Sequence, residues 1–304
     1  LPYLTLLGRH EGPTVALVAG VHGGKVAAVR AIESLQRSLG DDLLRGRVIL
    51  VAPANLAGFQ AGLAQISPDD SLNLNRAFPG VVCGLPTERL ASRIMREIVS
   101  NSDYLVDLHG SDGEEAVGRF AYAARPGIDP RVDSAALRLA TAWGVPTVVW
   151  DDAGPRTRET ARFLQTAAHL SGVPAITVFE AGAAREDSVA TRLFIEGAMA
   201  LLADLQMVRS TARSAPPAAA TPRVLPQVLP RRAVTSAPGT GTWIPLVSPG
   251  NPVARGELLG TLNDSTGVRV ELRADAAGVV LHQRLAGDVL SGATLVILGV
   301  TPEP

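Results

Sequence analysis

The chain has 304 residues, 46% of them hydrophobic, and a formal net charge of −1. That apolar content supports a buried core and excludes a largely disordered chain, and the near-zero charge excludes a general nucleic-acid binder, which needs a basic surface. All 28 basic residues are Arg except Lys25, and the single cysteine, Cys83, excludes an intramolecular disulfide framework and a Cys-rich metal cluster.

No apolar run reaches the roughly 18 residues that a membrane span requires. No basic region followed by an apolar stretch marks a secretory signal. The chain is therefore expected to be cytoplasmic, with no membrane partner. Its length suggests two domains of ordinary size.

Residues 14–19 (TVALVA) form a short apolar run that ends in Gly20 and predicts a buried strand. Residues 25–39 space Val26, Val29, Ile32, Leu35 and Leu39 at helical intervals. Residues 47–52 (RVILVA) predict a second strand, stopped by Pro53. Residues 86–99 predict a helix, 104–108 (YLVDL) a strand, 131–143 a helix and 146–150 a strand. A helix is predicted over 158–170, a strand over 173–179 (VPAITVF) and a long helix over 188–205. This alternation predicts a mainly parallel sheet with helices on both faces.

The composition changes after residue 208. Residues 209–230 are rich in Ala and Pro and predict an extended linker. From residue 231 to 304, short apolar runs alternate with Gly and Pro turns, which predicts a small β-barrel-like domain.

Ligands of open α/β sheets bind at the carboxyl ends of the strands. His22 follows the first predicted strand, in a Gly-rich turn where backbone can approach a ligand closely. His109 ends the third strand, within Asp107-Leu108-His109. Two histidines in matching positions can converge on one metal, and zinc takes such nitrogens together with a carboxylate. His10, His169 and His282 have no such context and read as structural. Glu180 closes an apolar strand, where desolvation raises a carboxyl pKa and suits a general base. It could equally cap the segment that follows. Arg76 beside Asn75, ahead of Phe78-Pro79-Gly80, offers planar recognition of a carboxylate. Arg158 and Arg162 could read a second acid group, or lie solvated on a helix.

These blocks, in this order, resemble the succinylglutamate desuccinylase/aspartoacylase family of zinc-carboxypeptidase-like amidohydrolases. The tail resembles that family's small β-domain in Gly241-Thr242-Trp243, in 249–253 (PGNPV) and in 275–280 (DAAGVV). The resemblance implies a carboxypeptidase-like α/β domain over 1–208 and His22 and His109 as zinc ligands. It implies Glu180 as the base that activates water, and Asn75 and Arg76 as the holders of a substrate carboxylate. The implied activity is hydrolysis of an amide in a small N-acylated amino acid or amine.

Three departures qualify the resemblance. The family's His-x-x-Glu block places its third zinc ligand where this chain has Lys25, and an ammonium repels a cation. Gln65 stands near the place of an Arg that steadies an oxyanion, and Asn73 replaces a common Asp. Three readings of Lys25 stay open. The metal site is degraded, with zinc held weakly or not at all. Alternatively, Lys25 takes over part of the metal's role in a metal-independent acyl-transfer or cyclisation enzyme, or the chain is a non-catalytic binding descendant. In the third, Asp112 or Glu114 completes a residual metal site. The partner in each case is a small carboxylate-bearing molecule, and self-association is left open.

Overall fold

The protein is described by a computed structural model, over residues 1–40, 42–180, 182, 184, 187–209, 225–264 and 266–302. The first unit holds β1 (Tyr3–Leu7), β2 (His10–Ala19), α1 (Val26–Ser38), β3 (Arg45–Val51), α2 (Leu56–Gln60) and α3 (Pro86–Glu97). It continues through β4 (Tyr104–His109), β5 (Glu115–Val117), β6 (Phe120–Ala124), α4 (Pro130–Trp143) and β7 (Thr147–Asp151). It closes with α5 (Leu164–His169), β8 (Ala175–Phe179), α6 (Ser188–Asp204) and β9 (Gln227–Leu229).

Eight of these strands form one sheet in the order β1-β3-β2-β4-β8-β6-β7-β9. Its β3-β2-β4-β8 centre is parallel, as are β6-β7 and β7-β9, while β1-β3 and β6-β8 are antiparallel. The mainly parallel sheet predicted from the alternation of elements is therefore present. Side chains alternate between its two faces. Leu17, Val106, Leu108, Ile176 and Val178 pack with α1, α4 and α6 on one face. Val18, Leu105 and Ala175 pack with α3 and α5 on the other. Helices on both faces explain why the central strands read as continuous apolar runs.

The second unit holds β10 (Arg231–Ser236), β11 (Gly241–Pro245), β12 (Pro252–Val253), β13 (Leu258–Asp264) and β14 (Arg269–Arg273), then β15 (Gly278–Arg284), β16 (Gly287–Val289) and β17 (Thr294–Val300). It forms two antiparallel sheets, β10-β17-β15-β12 and β14-β13-β11-β16. Their shared core centres on the fully buried Trp243. The two units are not independent. β5 of the first pairs with β15 of the second, aligning Glu115 with Arg284 and Val117 with His282.

Two sequence expectations need correction. The helix predicted over 158–170 is two pieces, a 3₁₀ turn at Arg158–Thr160 and α5. Ala161 and Phe163 between them are extended, and the α5 start is fixed by the Leu164 N–H donating to Asn75 Oδ1 at 2.9 Å. The linker predicted over 209–230 includes β9, which lengthens the main sheet at its β7 edge. Residues 210–224 of that linker lie outside the described residues. No helix of the described residues is long and apolar enough to cross a membrane.

A candidate active-site cleft

A cavity of about 330 Å³ opens where the carboxyl ends of β4 and β8 meet the second unit. Both units line it: His22, Asn75, Arg76 and His109 from the first, His282 and Arg232 from the second. Residues 20–25 form the turn that carries His22. Gly23 packs so closely on Gly58 and the Leu63 carbonyl that any Cβ would overlap them.

His22 and His109 come together, with ring centroids 5.1 Å apart and an interplanar angle of 78°. His22 Nε2 donates to Asn73 Oδ1 at 3.1 Å, which leaves Nδ1 buried without a partner. Burial, then the charges of His109 and Lys25, hold the His22 pKa well below its ordinary value, so this imidazole is neutral. His109 Nε2 faces Asp107 Oδ2 at 3.0 Å, out of hydrogen-bond alignment, and Asp107 is fully buried. His22, donating from Nε2, keeps Nδ1 as its lone-pair nitrogen.

Lys25 is 3% exposed and sits between two carboxylates. Its Nζ donates to Glu115 Oε1, and Asp112 Oδ2 lies 3.5 Å away. Burial pushes the Glu115 carboxyl up, but the charge of Lys25 and the bond from His282 outweigh it and hold the group well below the usual carboxylate range. Glu115 Oε2 accepts from His282 Nε2 at 2.5 Å. His282, read as structural from sequence, thus belongs to the cleft. No spacing rule joins it to Glu115, because the two are 167 residues apart and meet only through the β5–β15 pairing.

The network continues toward His22. Gln65 Nε2 donates to Asp112 Oδ2 at 2.8 Å, and Asn73 Nδ2 donates to Gln65 Oε1 at 3.3 Å. Gln65 lines the cleft with its amide held at both ends, one of its two N–H donors on Asp112 and its oxygen accepting from Asn73. Asn75 spends its carbonyl oxygen on the α5 terminus. Arg76 lies over the Phe163 ring, with Cζ 4.7 Å from the centroid.

Glu180 is not among the groups lining the cleft, contrary to the role expected of it. Alternation along β8 turns Thr177 and Phe179 into the cleft and sends Ile176, Val178 and Glu180 to the α4/α6 face. There its carboxylate accepts from Arg119 Nε at 2.7 Å and from the Trp143 indole at 2.9 Å. Burial still raises its pKa, against the lowering effect of those two bonds. The alternation of side-chain direction along any strand implies this once the face of Thr177 is known, although 173–179 itself reads as an unbroken apolar run.

Two imidazoles suit two ligand positions of zinc. The third position holds an ammonium already paired to Glu115 and Asp112. Among the described residues, no group of three or more His, Cys, Asp or Glu side chains is arranged to hold a metal. These residues therefore do not fit a three-ligand zinc site. Asp112 and Glu114, considered as replacement ligands, are held by Lys25 and Gln65 and by Arg284 respectively.

Comparison with known proteins agrees with the fold. The chain is 27% identical to the N-alpha-acetyl-L-2,4-diaminobutyric acid deacetylase of Halomonas elongata, over 99% of this chain and 86% of that protein. The product-bound structure of the ectoine utilization protein EutE (DoeB) from Ruegeria pomeroyi superposes with a TM-score of 0.83 at 25% identity, covering 99% of this chain and 88% of that one. A succinylglutamate desuccinylase/aspartoacylase structure from Rhodobacter sphaeroides has the same fold, with a TM-score of 0.83 at 24% identity over 99% and 89% of the two chains. A family model described as the succinylglutamate desuccinylase/aspartoacylase catalytic domain matches residues 11–201. The chain belongs to the succinylglutamate desuccinylase/aspartoacylase family.

Proposed function

We propose that this chain is a deacylase that hydrolyses the amide of a small N-acylated amino acid, bound through a carboxylate at Arg76. One observation carries the reading. Arg76, the His22–His109 pair and Lys25 share a single cleft large enough for a ligand of amino-acid size. An apolar wall of Phe120, Phe179 and Leu281 suits the acyl carbons. N-acetyl-2,4-diaminobutyrate, the compound named for the Halomonas relative, is the first substrate to try. It carries a carboxylate for Arg76.

Members of this family are generally zinc-dependent, and zinc would supply a polarised carbonyl and an activated water. The donor set here does not fit that ion, so the chemistry is assigned to the chain's own groups. Lys25 has three N–H donors and two carboxylate partners, which leaves one donor for the amide oxygen. As water adds to the carbonyl carbon, that donor stabilises the developing oxyanion. His109, backed by Asp107, takes the water proton and passes it to the leaving nitrogen. Carboxylic acid and free amine are the products. Glu180, the base expected from the family pattern, enters this scheme only by leaving Arg119 and Trp143.

A second reading is a binding descendant without turnover. It is favoured by the ion pairing of Lys25, because Glu115 and Asp112 offset the charge that would polarise a carbonyl. The test is incubation with N-acetyl-2,4-diaminobutyrate, with and without a chelator, following acetate and free amine. Chelator-insensitive release, weakened through KM by Arg76→Gln, supports the deacylase. Calorimetric binding without release selects the second reading. Release that a chelator abolishes overturns the assignment to Lys25.

A further inference from the structure

The second unit contributes a cation to the cleft that the sequence reading did not single out. Arg232 lies at the start of β10, immediately after the chain leaves the main sheet at β9. Its Cζ lies 4.8 Å from the Tyr122 ring centroid and 5.6 Å from that of Phe163. Arg76 stacks on the same Phe163 ring at 4.7 Å. Two guanidinium groups from different units therefore converge on one aromatic side chain inside one cavity.

Neither cation is well matched by protein acceptors. Among the described residues, Arg76 donates only to its neighbouring Asn75 carbonyl, at 2.8 Å. Arg232 Nε comes no closer than 3.9 Å to Asp151 Oδ2, an oxygen that already accepts from the Tyr122 hydroxyl. Burial, and then the charge of Arg232, lower the Arg76 pKa. Like charges held together in a partly desolvated site repel one another, and an anion between them relieves that repulsion. Arg158 and Arg162, the sequence candidates for a second acid-reading group, do not line the cavity.

We propose that Arg76 and Arg232 form one two-arginine subsite for the carboxylate of the substrate, so that the C-terminal β-unit supplies a specificity-determining residue. This rests on the deacylase reading only in placing a carboxylate-bearing acyl amino acid in the cleft. Two planar forks around one carboxylate give geometric selection that a single Arg does not. The stacking on Phe163 and Tyr122 holds both forks in place before the ligand arrives.

The test is calorimetric titration of the full chain with N-acetyl-2,4-diaminobutyrate and with its primary carboxamide, repeated on Arg232→Gln and Arg232→Lys. The native protein is expected to prefer the carboxylate by tenfold or more. Arg232→Gln should remove at least tenfold of carboxylate affinity and leave carboxamide affinity within twofold, and Arg232→Lys should restore part of the loss. Circular dichroism of each variant checks that the fold is kept. A native preference that Arg232→Gln leaves unchanged, or equal losses for both ligands, overturns the role of Arg232 alone. A native protein with no preference, or no binding, overturns the carboxylate reading of the cleft as well.

Discussion

Lys25 donates to Glu115 across ninety residues of sequence, in an ion pair that joins the start of α1 to the strand docked on the C-terminal unit. The Lys25 side chain is 4% exposed and that of Glu115 17%. Lys25 is therefore not a loose cation: it is held between two carboxylates.

Removing the cation should be costly. Lys25→Met keeps the length but leaves Glu115 with His282 and Asp112 with Gln65, each without the Lys25 ammonium. Breaking a buried pair from one side costs about 3–5 kcal/mol, and the residual exposure of Glu115 argues for about 3 kcal/mol here. Urea unfolding at neutral pH checks this. A loss below about 1 kcal/mol would mean that the pair is effectively solvated.

Glu115 and Glu180 should respond to pH in opposite senses. The folded pKa of Glu115 is depressed, so its stabilising effect is full above the unfolded carboxylate range near pH ~4.3 and is lost as pH falls toward the folded pKa. The folded pKa of Glu180 is raised, so its contribution is greatest below that range and is lost as pH rises through the folded pKa. Glu115→Gln should therefore cost more at pH 7 than at pH 3, and Glu180→Gln less. Denaturation of both variants at the two pH values reads the contrast directly, and a parallel response would contradict it.

Glu180 also has a kinetic test. Held by Arg119 and Trp143, it stands away from the cleft, and Glu180→Gln is expected to lower deacylation less than about tenfold. Loss of a true general base costs about 10²–10⁴-fold. A loss of that size would return the base role to Glu180.

The platform behind Glu180 can be probed through Gly197 on α6. A Cβ there would overlap the Trp143 indole, whose N–H donates to Glu180. Gly197→Ala should destabilise by about 1–3 kcal/mol through overpacking, with a changed Trp fluorescence spectrum. An unchanged melting temperature and spectrum would show that the indole is free to yield.

The central sheet was legible because its strands are buried on both faces and read as apolar runs, 14–19 and 173–179 among them. β1, β6 and the short β5 and β9 were not predicted. β5 and β9 have only three residues each and gain their order from β15 and β7, which a local window does not contain. His22, His109, Arg76 and Lys25 were legible from their places at strand ends or in short motifs, and the cleft brings all four together. Arg232 and His282 were missed because their relevance arises only when the C-terminal unit packs over the sheet. Glu180 was assigned from its position at a strand end, whereas its side-chain direction follows from the alternation within that strand.

The most direct test is the zinc content of the native protein and of Lys25→Glu, each equilibrated with zinc, gel-filtered and measured by elemental analysis. A carboxylate at residue 25 would complete the two imidazoles as a three-ligand set. Well under one zinc is expected per native chain, and close to one in Lys25→Glu. Near-stoichiometric zinc in the native protein would contradict this.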